Sequence, residues 1–143
     1  MRIRQKLHQI RNSKDLLLLL QITVLACLLP LLLRWVKLPT LLKVLKPWNR
    51  TATVERKQVD KIVRFTNFIL GKGFAGKRTC LKKSLLLYHF LRRAGVNVEM
   101  NFGIRKAKGL IGHSWLTYQA NPYLDDEKST RDFEIIYGSG EIK

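Results

Sequence analysis

Apolar positions are unevenly distributed along this chain, and residues 16–33 form an almost unbroken run of them. Such a run predicts a helix, but its eighteen residues only reach the lower edge of the roughly 20 that a membrane span requires. Gln21, Thr23 and Pro30 interrupt it further. No small-residue cleavage site follows it, so we expect it to stay on the protein. The pattern predicts an apolar helical arm over residues 1–50.

The next two segments carry apolar residues at helical spacing. After a proline-containing break, apolar side chains recur over residues 59–69 among charged ones, which predicts an amphipathic helix ending near Gly71 or Gly73. A second apolar band covers residues 80–93. Gly95 follows it at the place where many helices end in a left-handed residue, so we predict a helix that stops there.

Beyond Gly95 the apolar period changes to two, which is typical of half-buried strands. The predicted strands are 96–102, 111–118 and 133–137, with a turn at 106–109 and a polar connection at 121–131. Strands joined so briefly pair antiparallel. The chain is therefore predicted to have an α+β fold, in which a domain over residues 51–143 packs its second helix on a small antiparallel sheet.

Charge narrows the choice of partners. Lys and Arg outnumber Asp and Glu by 27 to 10, a net charge of +17 that favours nucleic acid, anionic lipid or an acidic peptide. The three Trp residues are scattered rather than interleaved with basic residues, so we expect no nucleic acid. Basic residues flank the apolar run on both sides, so the positive-inside rule does not indicate which end of a single membrane-spanning helix would face the cytoplasm. A helix on an anionic membrane surface, or one docked on protein, explains this symmetry.

Metal and cofactor chemistry find no support in the sequence. Cys27 and Cys80 lie 53 residues apart, and no His pair has the spacing of metal ligands. Gly71, Gly73 and Gly76 precede a predicted helix but follow no strand, which does not fit a phosphate-binding loop. We expect neither a metal nor a cofactor.

Cys80 is the candidate nucleophile. It lies at the predicted start of a helix, where free backbone N–H groups and the helix dipole favour a negative group, and Lys77 and Arg78 precede it. These surroundings favour the reactive thiolate, whereas Cys27, within the apolar run, is expected to be inert.

His113 is the candidate general base. It follows Cys80 by 33 residues and adjoins Gly112, where the backbone can admit a substrate closely. His8 belongs to the basic arm, and His89 lies nine residues along the Cys80 helix, too far along its axis to act as a base.

Four motifs in a fixed order resemble one known family. They are the helix 80–87, the segment 91–96 with its arginine pair and glycine, Phe102-Gly103-Ile104-Arg105, and Gly112-His113-Ser114-Trp115. Over residues 54–143 the chain resembles the transglutaminase-like leader peptidases of lasso peptide maturation. The family's apolar N-terminal helices also look like residues 16–45.

The resemblance implies a transglutaminase-like (papain-like) cysteine protease core with a Cys-His-Asp triad. Cys80 would be the nucleophile, His113 the base and then the acid, and a carboxylate after the His113 strand would hold the imidazole. The implied activity is removal of the leader from a ribosomally made lasso-type precursor. The implied partners are the precursor peptide, a separate leader-recognition protein and an ATP-dependent macrolactam cyclase.

Four acidic residues could supply the third member of the triad. They are Asp125, Asp126, Glu127 and Asp132. We expect the chain to turn at Asn121-Pro122 and return antiparallel, which brings the early part of this segment opposite His113. Asp125 lies twelve residues after His113, a spacing similar to that of the resembling family. Side-chain alternation would point Asp126 to the opposite face, so we predict Asp125, with Asp126 and Asp132 as alternatives.

Two departures and two other functions qualify this hypothesis. Ser114 stands where the family usually has Ala, and Thr117 where an acidic residue is frequent, but neither change removes the chemistry. A non-catalytic membrane- or nucleic-acid-binding protein is one alternative, favoured by the charge. A transglutaminase-type acyl transferase, which uses the same triad, is the other. For the peptidase we expect a cytoplasmic location at the inner face of the membrane.

Overall fold

The computed structural model describes residues 12–48, 53–71 and 79–141. Its helices before the sheet are α1 (Ser13–Trp35), α2 (Leu38–Leu45), α3 (Arg56–Leu70) and α4 (Thr79–Arg93). α3 is the predicted amphipathic helix and ends just before Gly71, and α4 is the predicted Cys80 helix. The expectations for the first eleven residues, for Gly73 and for the basic turn with Lys77 and Arg78 lie outside the described residues.

The end of α4 follows the sequence prediction closely. Gly95 has a φ of 92°, in the left-handed region that glycine adopts without strain. The Val96 N–H donates to the Leu91 carbonyl at 2.9 Å, the bond that closes a helix through a left-handed residue. The chain therefore reverses sharply after α4 and enters the sheet directly.

The sheet has four antiparallel strands. They are β1 (Glu99–Lys106), β2 (Leu110–Tyr118), β3 (Asn121–Tyr123) and β4 (Glu134–Gly138), arranged in the order β3-β2-β1-β4. A short helix, α5 (Glu127–Thr130), lies between β3 and β4, and a 3₁₀ turn covers Ser139–Glu141. The predicted α+β arrangement with a small antiparallel sheet is confirmed.

Two details of the predicted sheet were wrong. The segment 121–131, predicted as a polar connection, contains β3 and α5. The turn before β3 lies at Gln119 and Ala120, which have φ values of 51° and 66°, and not at Asn121-Pro122. A two-residue hairpin needs positive φ at its centre, and neither Gln nor Ala signals this in the sequence.

One hydrophobic core joins the helices to the sheet. Leu85 and Leu91 of α4 are fully buried, as is Val98 just before β1, and Met100 and Leu116 are almost so. The same core includes Ile22, Ala26 and Leu29 of α1. A 2.8 Å ion pair between Asp15 and Lys61 fastens the beginning of α1 to α3. Helix α1 is thus docked along one face on the rest of the fold.

Candidate active site

Cys80 is the second residue of α4, and its side chain is half-buried. At this position the first backbone N–H groups of a helix have no partner within the helix, and the helix dipole is positive. Cys80 therefore lies in the first turn of α4 as the structure describes it, a position that suits the oxyanion of an acyl-transfer reaction.

A hydrogen bond brings α4 against β2 close to His113. The Ser84 hydroxyl donates to the Ser114 carbonyl at 3.1 Å, and both residues are buried. Ser84 lies one helical turn after Cys80 and therefore on the same face of α4. Ser114 is the neighbour of His113. The small side chain at residue 114 fits a place where a helix approaches a strand closely.

The direction of α4 places its start beside the start of β2. The end of α4 leads into β1, whose first residue, Glu99, pairs with Thr117 at the end of β2. Because α4 runs back along the sheet, its first residues lie toward the first residues of β2. Cys80 and His113 therefore lie toward the same end of two elements in contact, while alternation along β2 turns the His113 side chain to the face opposite Leu116, which packs in the core with α4.

The ring of His113 lies in a small aromatic cluster. His113 stacks on Trp115 with ring centroids 5.8 Å apart, and Phe133 lies 5.2 Å from His113 and 6.2 Å from Trp115. Alternation along β2 puts His113 and Trp115 on the face opposite Ser114 and Leu116. The imidazole is thus held from the side by two aromatic rings, at the beginning of the strand.

The Nε2 atom of His113 is buried and has no hydrogen-bond partner. A buried polar atom without a partner costs about 1–3 kcal/mol, so native structures seldom keep one without a functional reason. Catalytic groups are such a reason, because their hydrogen bonds often form only with the substrate in place. Thr66 and Ser114 also bury a hydroxyl oxygen without a partner, but of these groups the imidazole is the one suited to acid-base chemistry, so His113 is the candidate for it.

Gly103 allows the aromatic cluster to form. A Cβ atom at this position would lie 2.9 Å from the Glu134 carbonyl oxygen, 2.9 Å from the Trp115 ring and 3.0 Å from Phe133. Any other residue would therefore push β4 or Trp115 away. Sequence reasoning used Gly103 only as part of a motif, and it placed Phe133 in a predicted strand without assigning it to the site.

Arg105 packs its guanidinium group on the Phe133 ring. Its guanidinium carbon lies 5.0 Å from the centre of the Phe133 ring, and its Nη1 lies 3.6 Å from a carboxylate oxygen of Asp132. Asp132, an alternative third member of the triad, is thus an exposed partner of Arg105.

Asp125 lies two residues after β3 and is half-buried, whereas Asp126, Glu127 and Asp132 are exposed. Regular pairing of β2 with β3 ends at Leu116 and Tyr123, and Leu124 has a φ of 66°. Because the strand ends there, the predicted alternation cannot decide which carboxylate faces His113. The greater burial of Asp125 is the feature that separates it from the others.

Asp126 and Glu127 stand at the start of α5. The backbone carbonyl of Asp126 accepts hydrogen bonds from the N–H and the hydroxyl of Ser129, at 2.9 Å and 2.6 Å, but its carboxylate makes no capping hydrogen bond, and Glu127 is the first residue of the helix. Among the described residues, no group of three or more His, Cys, Asp and Glu side chains is placed to hold a metal ion.

Comparisons with known proteins agree with this architecture. A family model described as the transglutaminase-like superfamily matches residues 16–138, which include α1, the Cys80 helix and all four strands. A search of curated proteins and a search of solved structures gave no match. The match covers most of the chain, so the chain belongs to the transglutaminase-like superfamily.

Proposed function

We propose that this protein is a cysteine peptidase that removes the leader from a ribosomally made lasso-type precursor peptide. The superfamily includes cysteine peptidases and acyl transferases, so its chemistry is acyl transfer from a cysteine. Cys80 is the proposed nucleophile, His113 the base and acid, and Asp125 the carboxylate that orients His113.

The reaction would follow the course of other acyl-transfer triads. The Cys80 sulfur attacks the carbonyl carbon of the scissile peptide bond, and His113 carries the thiol proton to the leaving amine as the C–N bond breaks. Water then attacks the thioester, gives a proton to His113 and releases the leader with a free carboxylate. The proton returns to Cys80. The Cys80 backbone N–H, at a helix start, would stabilise the oxyanion.

One observation carries the proposal: the Nε2 atom of His113 is buried and has no hydrogen-bond partner. A purely structural histidine at this position would be expected to use that nitrogen in a hydrogen bond. A base that awaits its substrate has such an unsatisfied nitrogen.

The order of sequence motifs supports the leader peptidase among the possible activities. Cys80 at a helix start, Arg92-Arg93 before Gly95, and the Gly112-His113-Ser114-Trp115 motif follow one another as in the leader peptidases of lasso peptide maturation. The partners in this proposal are the precursor, a separate leader-recognition protein and an ATP-dependent macrolactam cyclase.

Processing of a precursor peptide in the presence of its recognition protein tests the proposal. We expect Cys80→Ala to abolish the shortened product in a mass spectrum, while the matched variant Cys27→Ala retains it. Product from Cys80→Ala would contradict the mechanism. A product in which the leader carries an added amine would show the acyl transferase instead, and no turnover by any variant would favour a binding protein.

A further inference from the structure

Helix α1 has two apolar faces with different environments. On the inner face, Ile22 and Leu29 are fully buried against the rest of the fold, and Asp15 is paired with Lys61. On the outer face, Leu20 and Leu31 are 58% and 57% exposed. One face of the helix is therefore part of the fold, and the other has no covering in the part of the chain that the structure describes.

The outer stripe is the exposed apolar side of α1. Its members are Leu16, Leu17, Leu20, Val24, Cys27, Leu28, Leu31 and Trp35. They recur at the three- and four-residue spacing that makes one continuous strip along a helix. Contiguous exposed apolar surface on this scale marks a protein or membrane interaction site. Trp35, which is 79% exposed, adds a residue type that is enriched at membrane interfaces.

The basic residues around the outer stripe favour an anionic partner. Exposed basic residues stand at both ends of the helix, with Lys14 in its first turn, Arg34 in its last turn and Lys37 just after it. The first 54 residues contain ten basic residues and one acidic residue, and that acid, Asp15, is buried in its ion pair with Lys61. An apolar strip bordered only by cations is the composition of a helix that lies on anionic lipid.

The docking of α1 favours surface binding over crossing. By length and composition alone, α1 is the one helix among the described residues that could cross a membrane, which is weak evidence for a span. To cross, it would have to withdraw Ile22 and Leu29 from the core and carry Asp15 away from Lys61 into lipid. Lying flat keeps these contacts and buries the outer stripe as well.

We infer that the outer stripe of α1 is a docking surface for an anionic membrane, on which the protein rests without inserting across it. The leucine side chains and Trp35 would enter the head-group boundary, and Lys14, Arg34 and Lys37 would meet the phosphates. This inference is independent of the proposed peptidase activity.

Cys27 provides a direct test, because it lies in the outer stripe whereas Cys80 does not. The full-length protein is treated with a membrane-impermeant maleimide alone, with phosphatidylcholine vesicles, or with phosphatidylcholine vesicles that contain phosphatidylglycerol. We expect the anionic vesicles to protect Cys27 and leave Cys80 labelling unchanged. Unchanged labelling of Cys27 on anionic vesicles would overturn the inference.

Sedimentation with the same vesicles separates the contributions of the stripe and the charges. Leu20→Gln with Leu31→Gln should lose binding, while Leu110→Gln, at an exposed apolar residue of β2, should not. Arg34→Gln and Lys37→Gln should each weaken binding to anionic vesicles about fivefold at low salt. Equal binding of all variants would overturn the inference. So would salt-resistant binding to neutral vesicles, which indicates insertion, or self-association without vesicle binding, which indicates a second copy as the partner.

Discussion

At the scale of single residues, the more accessible of the two cysteines is not the one predicted to be reactive. Cys27 was expected to be inert within the apolar run, yet its side chain is exposed, whereas Cys80 is half-buried. Accessibility alone therefore favours Cys27. The reactivity predicted for Cys80 therefore depends on its place at a helix start and not on its accessibility.

The partnership of Cys80 with His113 can be measured without a substrate. In a Cys27→Ser background, we expect His113→Ala to slow alkylation of Cys80 by iodoacetamide about tenfold at neutral pH, because an ordinary thiol is only a few per cent thiolate there. Peptide mass spectrometry gives the rate. His89→Ala is the control, since His89 bonds instead to the Leu45 carbonyl at 2.7 Å. Equal rates in the His113 variant and its parent would argue against the pair.

The choice of the third triad residue leads to a second prediction. Asp125→Asn should slow leader removal strongly, because an orienting carboxylate holds the working tautomer of the imidazole and its loss costs about 10⁴ in a Ser-based triad. A Cys-His pair depends on this residue less, so a smaller loss is expected here. Asp126→Asn, at an exposed neighbour, should change the rate little. The assignment fails if Asp126→Asn or Asp132→Asn is the crippling change, although Cys80 and His113 would be unaffected by that outcome.

Reasoning from single residues in the sequence identified the candidate catalytic residues but not the residues that pack around them. A cysteine at a helix start and a histidine beside Gly112 in a strand are local signals, and the structure has Cys80 in the first turn of α4 and His113 in β2. The contact of Phe133 with His113 depends on the pairing of β4 with β1, which brings together residues far apart in sequence. No local sequence pattern could have predicted this contact.

At the scale of elements, long periodic segments were predictable and short ones were not. Helices α3 and α4 and strand β1 were predicted because their apolar period extends over many residues. Strand β3 has only three residues, and the hairpin before it uses Gln119 and Ala120 in place of the usual turn residues. Its pairing with β2 comes from tertiary structure rather than from local preference.

Close approach of β1, β2 and β4 at Gly103 gives a third prediction. We expect Gly103→Ala to lower the free energy of unfolding by about 1–3 kcal/mol, because the added Cβ would overlap the Glu134 carbonyl and the Trp115 ring. Gly109→Ala is the control, since a Cβ there would meet nothing within 4 Å, and its effect should stay within about 0.5 kcal/mol. Urea denaturation measures both. Equal stabilities would show that the Trp115 cluster is loosely packed.

At the scale of the whole molecule, the apolar arm and the sheet form one folded unit. The superfamily match begins at residue 16, and Ile22 and Leu29 belong to the same core as α4 and β2. The boundary at residues 50 and 51 stays a prediction. Protein contact and membrane contact, which the sequence left as alternatives for the arm, fall on opposite faces of α1 in our account: the inner face contacts protein, and the outer face is proposed to contact lipid.

Integration of α1 into the fold gives a fourth prediction. Ile22→Ala should destabilise the protein by about 2–5 kcal/mol, because it removes a fully buried side chain from the core. Leu20→Ala, on the same helix but 58% exposed, should change stability by no more than about 0.5 kcal/mol. Thermal or urea unfolding in the absence of lipid makes the comparison. If the two variants are equally stable, α1 is a loose arm rather than part of the domain.

The most direct test of the central claim is to follow oxygen from water during precursor processing. When the reaction is run in water enriched in heavy oxygen, hydrolysis of a Cys80 thioester should leave one heavy oxygen in the new carboxylate of the released leader. Cys80→Ala should release no leader. Leader release by Cys80→Ala, or a leader that carries an amine in place of the heavy oxygen, would contradict a cysteine peptidase that works through Cys80.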